Sequence, residues 1–154
     1  MALIDIKLPE VKIPVSEGQN FTVRGITFED LDFLISVNAV EINALAAMLA
    51  ATVGQDSDQA DKSAAATMAA MQTTRPTLAA QIIACASGDN SPEAIAIARS
   101  LPVTVQTEAL IKITHLTFEV NGGIKKFIEL LVGTITLIHD LNKADSESST
   151  GSTG

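Results

Sequence analysis

The sequence predicts a mainly α protein, a multi-helix bundle with a short N-terminal β-hairpin or extended arm. Apolar residues recur at helical spacing after Thr27, as in the stripe Leu31, Leu34, Ile35, Asn38, Ile42, Leu45, Leu49 and Val53. Hydrophobic residues make up 47% of the chain but aromatics only 3%, and Ala supplies much of the remainder, which favours helices packed closely through small side chains. Period-two alternation, the signal for strands, is found within the first 25 residues. A length of 154 residues suits one domain with a real core.

Residues 3–15, LIDIKLPEVKIPV, alternate around Pro9 and Pro14. Ile4, Ile6 and Leu8 share one side, and Val11, Ile13 and Val15 share a side after Pro9. Edge strands and extended arms tolerate the missing proline donor. SEGQN, residues 16–20, is a turn and FTVRG a second strand, giving a hairpin over residues 10–25. A lone hairpin is marginal, so helices must support it.

Thr27 ahead of Phe28, Glu29 and Asp30 is a helix start, because its hydroxyl can accept the N3 amide while the acids face the positive end of the helix. That helix is expected over 28–53, stopping at Gly54. QDSDQADKSAAATMAAMQTT predicts a polar loop feeding an Ala-rich helix that ends near Thr73. Pro76 opens the next helix with Thr74 as its cap, and Gly88 closes it in a left-handed conformation. Ser91, Pro92 and Glu93 open a short helix to about Ser100, which Leu101-Pro102 breaks. Val103 to Val120 restarts with Ala109, Leu110, Ile113, Leu116 and Val120 on one face, and its β-branched residues need tertiary packing to hold a helix.

Asn121-Gly122-Gly123 precedes a last helix from Ile124 to about Leu141. It carries Ile124, Phe127, Ile128, Leu131, Ile135 and Ile138 on one face, with Leu130, Leu137 and Leu141 beside it. The division expected is one helical domain with its β element over 1–142, then a flexible Ser, Thr and Gly tail over 143–154 that lacks apolar anchors.

Charge and composition remove several classes of function. Ten Lys and Arg against 18 Asp and Glu give a net charge of −8, and no basic cluster, Trp or Tyr is present to hold phosphates or stack bases. No nucleic-acid partner is expected. Cys85 is alone, which excludes a disulfide or thiolate cluster and points to a reducing compartment. Asp5 and Lys7 interrupt any signal-peptide core in MALIDIKLPE. The longest charge-free run, Ile42 to Gln55, is shorter than the roughly 18 to 20 apolar residues of a membrane span. The expectation is a soluble cytosolic protein with no membrane partner.

No catalytic set emerges, and no enzyme, cofactor or metal site is expected. Cys85 in QIIACAS reads as a buried, inert thiol. His115 and Glu119, four residues apart, read as a solvated helical pair, since a metal site needs further ligands. His139-Asp140 lies near a helix end, where an imidazole interacts favourably with the dipole. Glu29, Asp30 and Asp32 suit a first helical turn. Asn121-Gly122-Gly123 before Lys125-Lys126 lacks the GxxxxGK[ST] spacing of a phosphate loop and reads as a hinge. The informative feature is the width of the last helix's apolar stripe. Ile124, Phe127, Leu130, Leu131 and Leu137 are the candidates for binding a helical partner or a second copy, a homo-oligomer. Periodicity alone does not separate those facing the core from those facing a partner.

Two stretches resemble a known family. FTVRGITFEDLDFL, residues 21–34, is similar to the "strand, V-R-G-[LI]-T-x-E-D-L" lead into the first helix of tail assembly chaperones of long-tailed bacteriophages, the tape measure protein chaperones of the gene-G-like family. ARSLPVTVQTEALIKITHLTFEVNGGIKKFIELL, residues 98–131, resembles the same family's "L-P-x-x-V-Q-x-E-A-L-x-x-I-x-x-L-T-F" helix, its glycine turn and its "K-K-F-x-E" last helix. Together they cover about a third of the chain in the right order; residues 39–90 match nothing in the pattern.

The resemblance implies a chaperone that binds the tape measure protein, keeps it soluble and assists tail tube polymerisation in the host cell cytoplasm. It implies absence from the mature virion. It also implies a longer product of programmed ribosomal frameshifting whose extra domain contacts the tail tube protein, this chain looking like the unshifted form. The alternative is a structural tail or head completion subunit that stays in the particle.

Overall fold

A computed structural model describes residues 2–150 as a 3-10 turn at Leu3–Asp5, two strands and six helices. Strands β1 (Glu10–Ser16) and β2 (Gln19–Arg24) pair antiparallel from Glu10 opposite Arg24 to Ser16 opposite Gln19, with an irregularity between Pro14 and Ser16. Ile13 and Val23 point inward and are fully buried, which docks the hairpin on the helices. Ahead of it, residues 2–9 form an exposed arm.

Helix α1 (Phe28–Ala50) starts as its residues dictate. Asp30 N–H donates to Thr27 Oγ1 at 3.2 Å and Thr27 N–H to Asp30 Oδ2 at 2.9 Å, a reciprocal cap. Leu31, Leu34, Ile35, Ile42, Leu45 and Leu49 are buried, as the stripe predicts. The stripe is interrupted at Asn38, whose φ of −134° and ψ of 46° kink the helix. Its side-chain amide donates to the Leu34 carbonyl, the acceptor its own N–H serves in an unbroken helix, and to Gln81 Oε1 of α3 at 2.6 Å. By length and composition α1 could cross a membrane, a point the run from Ile42 to Gln55 understated. Its buried stripe is what a core helix requires.

Helix α2 (Ser57–Thr74) ends where the Ala-rich helix is expected to end, but it starts inside the stretch expected to be a polar loop. Asp58 stands in its first turn, where the dipole favours an acid, and Ala60, Ala64, Met68 and Met71 are buried on one face. Helix α3 (Pro76–Ala86) is the centre of the bundle, with every residue from Leu78 to Ala86 buried. The proposed Thr74 cap is not formed: its hydroxyl donates back to Ala70 O, and Arg75 makes the junction with φ −140° and ψ 66°. Gly88, at φ +90°, closes α3 as expected; its N–H reaches Cys85 O at 3.0 Å while Asp89 N–H reaches Ala84 O at 3.1 Å.

Ser91 caps α4 (Pro92–Ser100) by accepting from Ala94 N–H at 3.2 Å. Helix α5 (Val103–Val120) buries Ala109, Leu110, Ile113 and Leu116, whereas Val120 at the end of that stripe is exposed. Gln106 Nε2 donates to the carbonyls of Ala98, Arg99 and Leu101, tying α5 to the end of α4. Helix α6 (Ile124–Thr150) runs well past Leu141. No Gly or Pro lies between Leu141 and Gly151, so nothing in the covalent chain stops it. The tail expected over 143–154 is thus helical in backbone as far as Thr150, and residues 151–154 lie outside the described residues.

The stretches 21–34 and 98–131 meet in this fold. Arg24 Nη1 donates to Asp30 Oδ2 at 2.6 Å and to Gly25 O at 3.0 Å, bracing β2 against the start of α1. Ile26 N–H donates to Thr117 Oγ1 at 2.9 Å. A Cβ built on Gly25 would stand 3.0 Å from Leu116 C and O and from Thr117 Cα, all backbone atoms that cannot turn aside. Gly25→Ala is therefore expected to cost about 1 to 3 kcal/mol, read as a lower midpoint in thermal denaturation.

Candidate partner-binding surface

The five candidates divide by their position on α6. Ile124, Phe127 and Leu131 are buried in the core, where the Phe127 ring packs 5.7 Å from that of Phe118 in a tilted pair. They hold α6 on the bundle and are not available to a partner in this conformation. Leu130 and Leu137 are 46% and 57% exposed. Leu141, which the candidate set omitted, is 57% exposed and continues their line. Spacings of seven and four residues place Leu130, Leu137 and Leu141 on one side of the helix, with Thr134 between the first two. On the opposite flank, exposed Val132 joins Ile135 and Thr136 in a groove of about 230 Å³ against Asn43, Ala46, Ala47 and Ala50 of α1. Val132 is not among the residues that the sequence singles out on this helix.

Lys125, Lys126, Glu129, His139, Asp140 and Lys143 are exposed around these leucines, so α6 offers apolar contact within a charged rim. Such a surface can bind a helix through side-chain packing.

The remaining chemical candidates stay apart. His115 and Glu119 are exposed on α5, and among the described residues no cluster of three or more His, Cys, Asp or Glu forms a metal site. Asp30 is absorbed by the Arg24 pair and the helix cap, while Glu29 and Asp32 are exposed. Asn121-Gly122-Gly123 is a helix-to-helix turn, closed by Gly123 N–H to Phe118 O at 2.8 Å. The apolar cavity of about 50 Å³ between α1, α2, α3, α5 and α6 is a core void lined by residues such as Leu34, Leu45 and Ile113.

Cys85 is buried, and burial, reinforced by the charge of Asp30, pushes its thiol up to about 12. Between the ordinary thiol value of about 8.5 and about 12, the unfolded chain loses a proton that the folded chain keeps. Stability is then full below the lower value and falls as pH rises. Cys85→Ala is expected to flatten that alkaline slope in pH-dependent denaturation. At pH 8 the native thiol should react with a disulfide reagent only as the chain unfolds.

No curated protein matches this chain. No solved structure matches it either. A family model described as Pre-tape measure protein does match, over residues 1–152, nearly the whole sequence. The match covers residues 39–90, for which the resemblance had no counterpart, and it agrees with the tape measure association that the two motif stretches imply. The chain belongs to the Pre-tape measure protein family, a phage tail family associated with the tape measure protein.

Proposed function

We propose that this protein is a tail assembly chaperone that binds the tape measure protein and keeps it soluble while the tail tube polymerises. The observation that carries the reading is the line of exposed leucines on α6, Leu130, Leu137 and Leu141, on a helix whose other side is anchored in the core. A long helical client needs its apolar seams covered, and a leucine line at helical spacing offers a matching seam. The net charge of −8 favours solubility of the complex. Membership of the Pre-tape measure protein family supports an association with the tape measure protein, the proposed client.

On this reading the protein is a binding protein and not an enzyme, works in the host cytoplasm and leaves before the virion is complete. The tail tube protein is reached through a longer frameshifted product, which a slippery heptamer near the end of the reading frame would support. Co-expression tests the core of the proposal. The tape measure protein should stay in the soluble fraction and co-purify with this chain, and its precipitation whether or not this chain is present would remove the chaperone reading.

A further inference from the structure

Helix α1 carries a face that the fold leaves uncovered. Between Asp32 and Asp56 the sole charged residue is Glu41, so the helix is apolar nearly all round. Such a helix belongs inside a structure, yet only 33% of its most apolar stretch is buried. Ile42, Leu45 and Leu49 face the core. Helical spacing puts Val40, Ala44, Ala47 and Met48 on the opposite side. Val40 is 76% exposed and Met48 47%, and Val37, just ahead of the kink, is more than half exposed. Ala47 also walls the groove against Val132 and Thr136 of α6, so face and groove form one surface.

We propose that this surface takes a second helix of the client, an apolar one with a lysine or arginine set to meet Glu41. The inference rests on the chaperone reading and adds a site to it. The small side chains of Ala46, Ala47 and Ala50 along the groove let another helix approach closely, the fit of a helix laid between two others. Charge specifies what that helix carries. Glu41 lies three residues before Ala44, at the edge of the face, is half-buried, and has no ion-pair partner among the described residues. A partner that covered it without a cation would leave a carboxylate unpaired and out of water, whereas an opposed lysine or arginine satisfies it and fixes the register. The same acid and the net charge of −8 disfavour an anionic lipid surface as the occupant. The leucine line lies on the other flank of α6, so one straight helix cannot cover both surfaces, and the client presents two.

The test is a thiol reporter on the full chain. Cys85 is buried, so in the folded protein a cysteine placed at Val40 is the reactive one. Val40→Cys should react freely with a disulfide reagent in the isolated protein, and about tenfold or more slowly in the complex purified after co-expression with the tape measure protein. Val103→Cys, at an exposed position at the far end of α5, should keep its rate in both. Adding Glu41→Lys beside the Val40 reporter should speed the reaction in the complex by about threefold or more, because like charges then oppose each other. If the client is retained while the Val40 thiol keeps its free rate, this inference falls and the chaperone reading stands; a client that never stays in solution removes both. Equal protection at Val103, or protection that Glu41→Lys leaves unchanged, also overturns the proposal. So does protection in the isolated protein that grows with its concentration or with added phosphatidylcholine vesicles, since a second copy or a lipid surface would then be the occupant.

Discussion

Leu110→Ala is expected to lower the free energy of unfolding by about 2 to 5 kcal/mol. Leu110 is fully buried near the middle of α5, the helix against which α2, α3 and both strands pack. Truncation loses the transfer energy of the deleted methyl groups and opens a cavity. Collapse around it is resisted because neighbours on several sides are already fixed, the hairpin by the Ile26 to Thr117 bond and α2 by its alanines. Urea denaturation should show an earlier midpoint at an unchanged slope. A loss under about 1 kcal/mol, the ordinary cost of an average substitution, would mean that the packing around Leu110 is looser than its burial indicates.

The second large effect is on binding. Leu137→Glu and Leu130→Glu should leave the isolated protein folded, since both side chains are about half exposed to water already. In a complex that buries the leucine line, each places an unpaired carboxylate against apolar surface, at a cost of several kcal/mol and about a hundredfold or more in affinity. The tape measure protein should then precipitate despite normal levels of the variant. Leu131→Glu is the contrasting control. That side chain is in the core, so the same substitution one residue from Leu130 should unfold the protein outright. If the Leu130 and Leu137 variants still retain the client, the binding surface lies elsewhere.

Much of this fold was readable from local chemistry. The Thr27 cap, the Ser91 cap behind Pro92, the left-handed Gly88 and the break at Leu101-Pro102 are short-range devices whose partners lie within a few residues, so sequence suffices to place them. The failures share a different cause. The early start of helix α2 lies in polar residues with no side-chain cap at Asp56, and what holds the helix is its buried face, which includes Ala60, Ala64 and Met68, together with its packing on α5, a contact between distant segments. The kink at Asn38 likewise depends on Gln81 in another helix.

Of the candidate surface, the sequence identified the right helix but could not divide its residues. Leu130 and Leu131 are neighbours of equal hydrophobicity, and only the position of the rest of the bundle decides that one is exposed and the other buried. The motif residues Arg24, Gly25 and Asp30 were legible as a family pattern, while their physical roles were not. Those roles are a brace, a close backbone approach and a cap, and all three serve the joint between β2, α1 and α5.

A chaperone and a structural subunit can both bind the tape measure protein, so binding alone does not separate them. The difference is whether the protein remains once the tail is finished. Mass spectrometry of purified mature particles measures this directly. The account predicts that peptides of this chain are absent while those of the tape measure and tube proteins are present; recovery of this chain in stoichiometric copies would contradict it and make the protein a structural component of the tail.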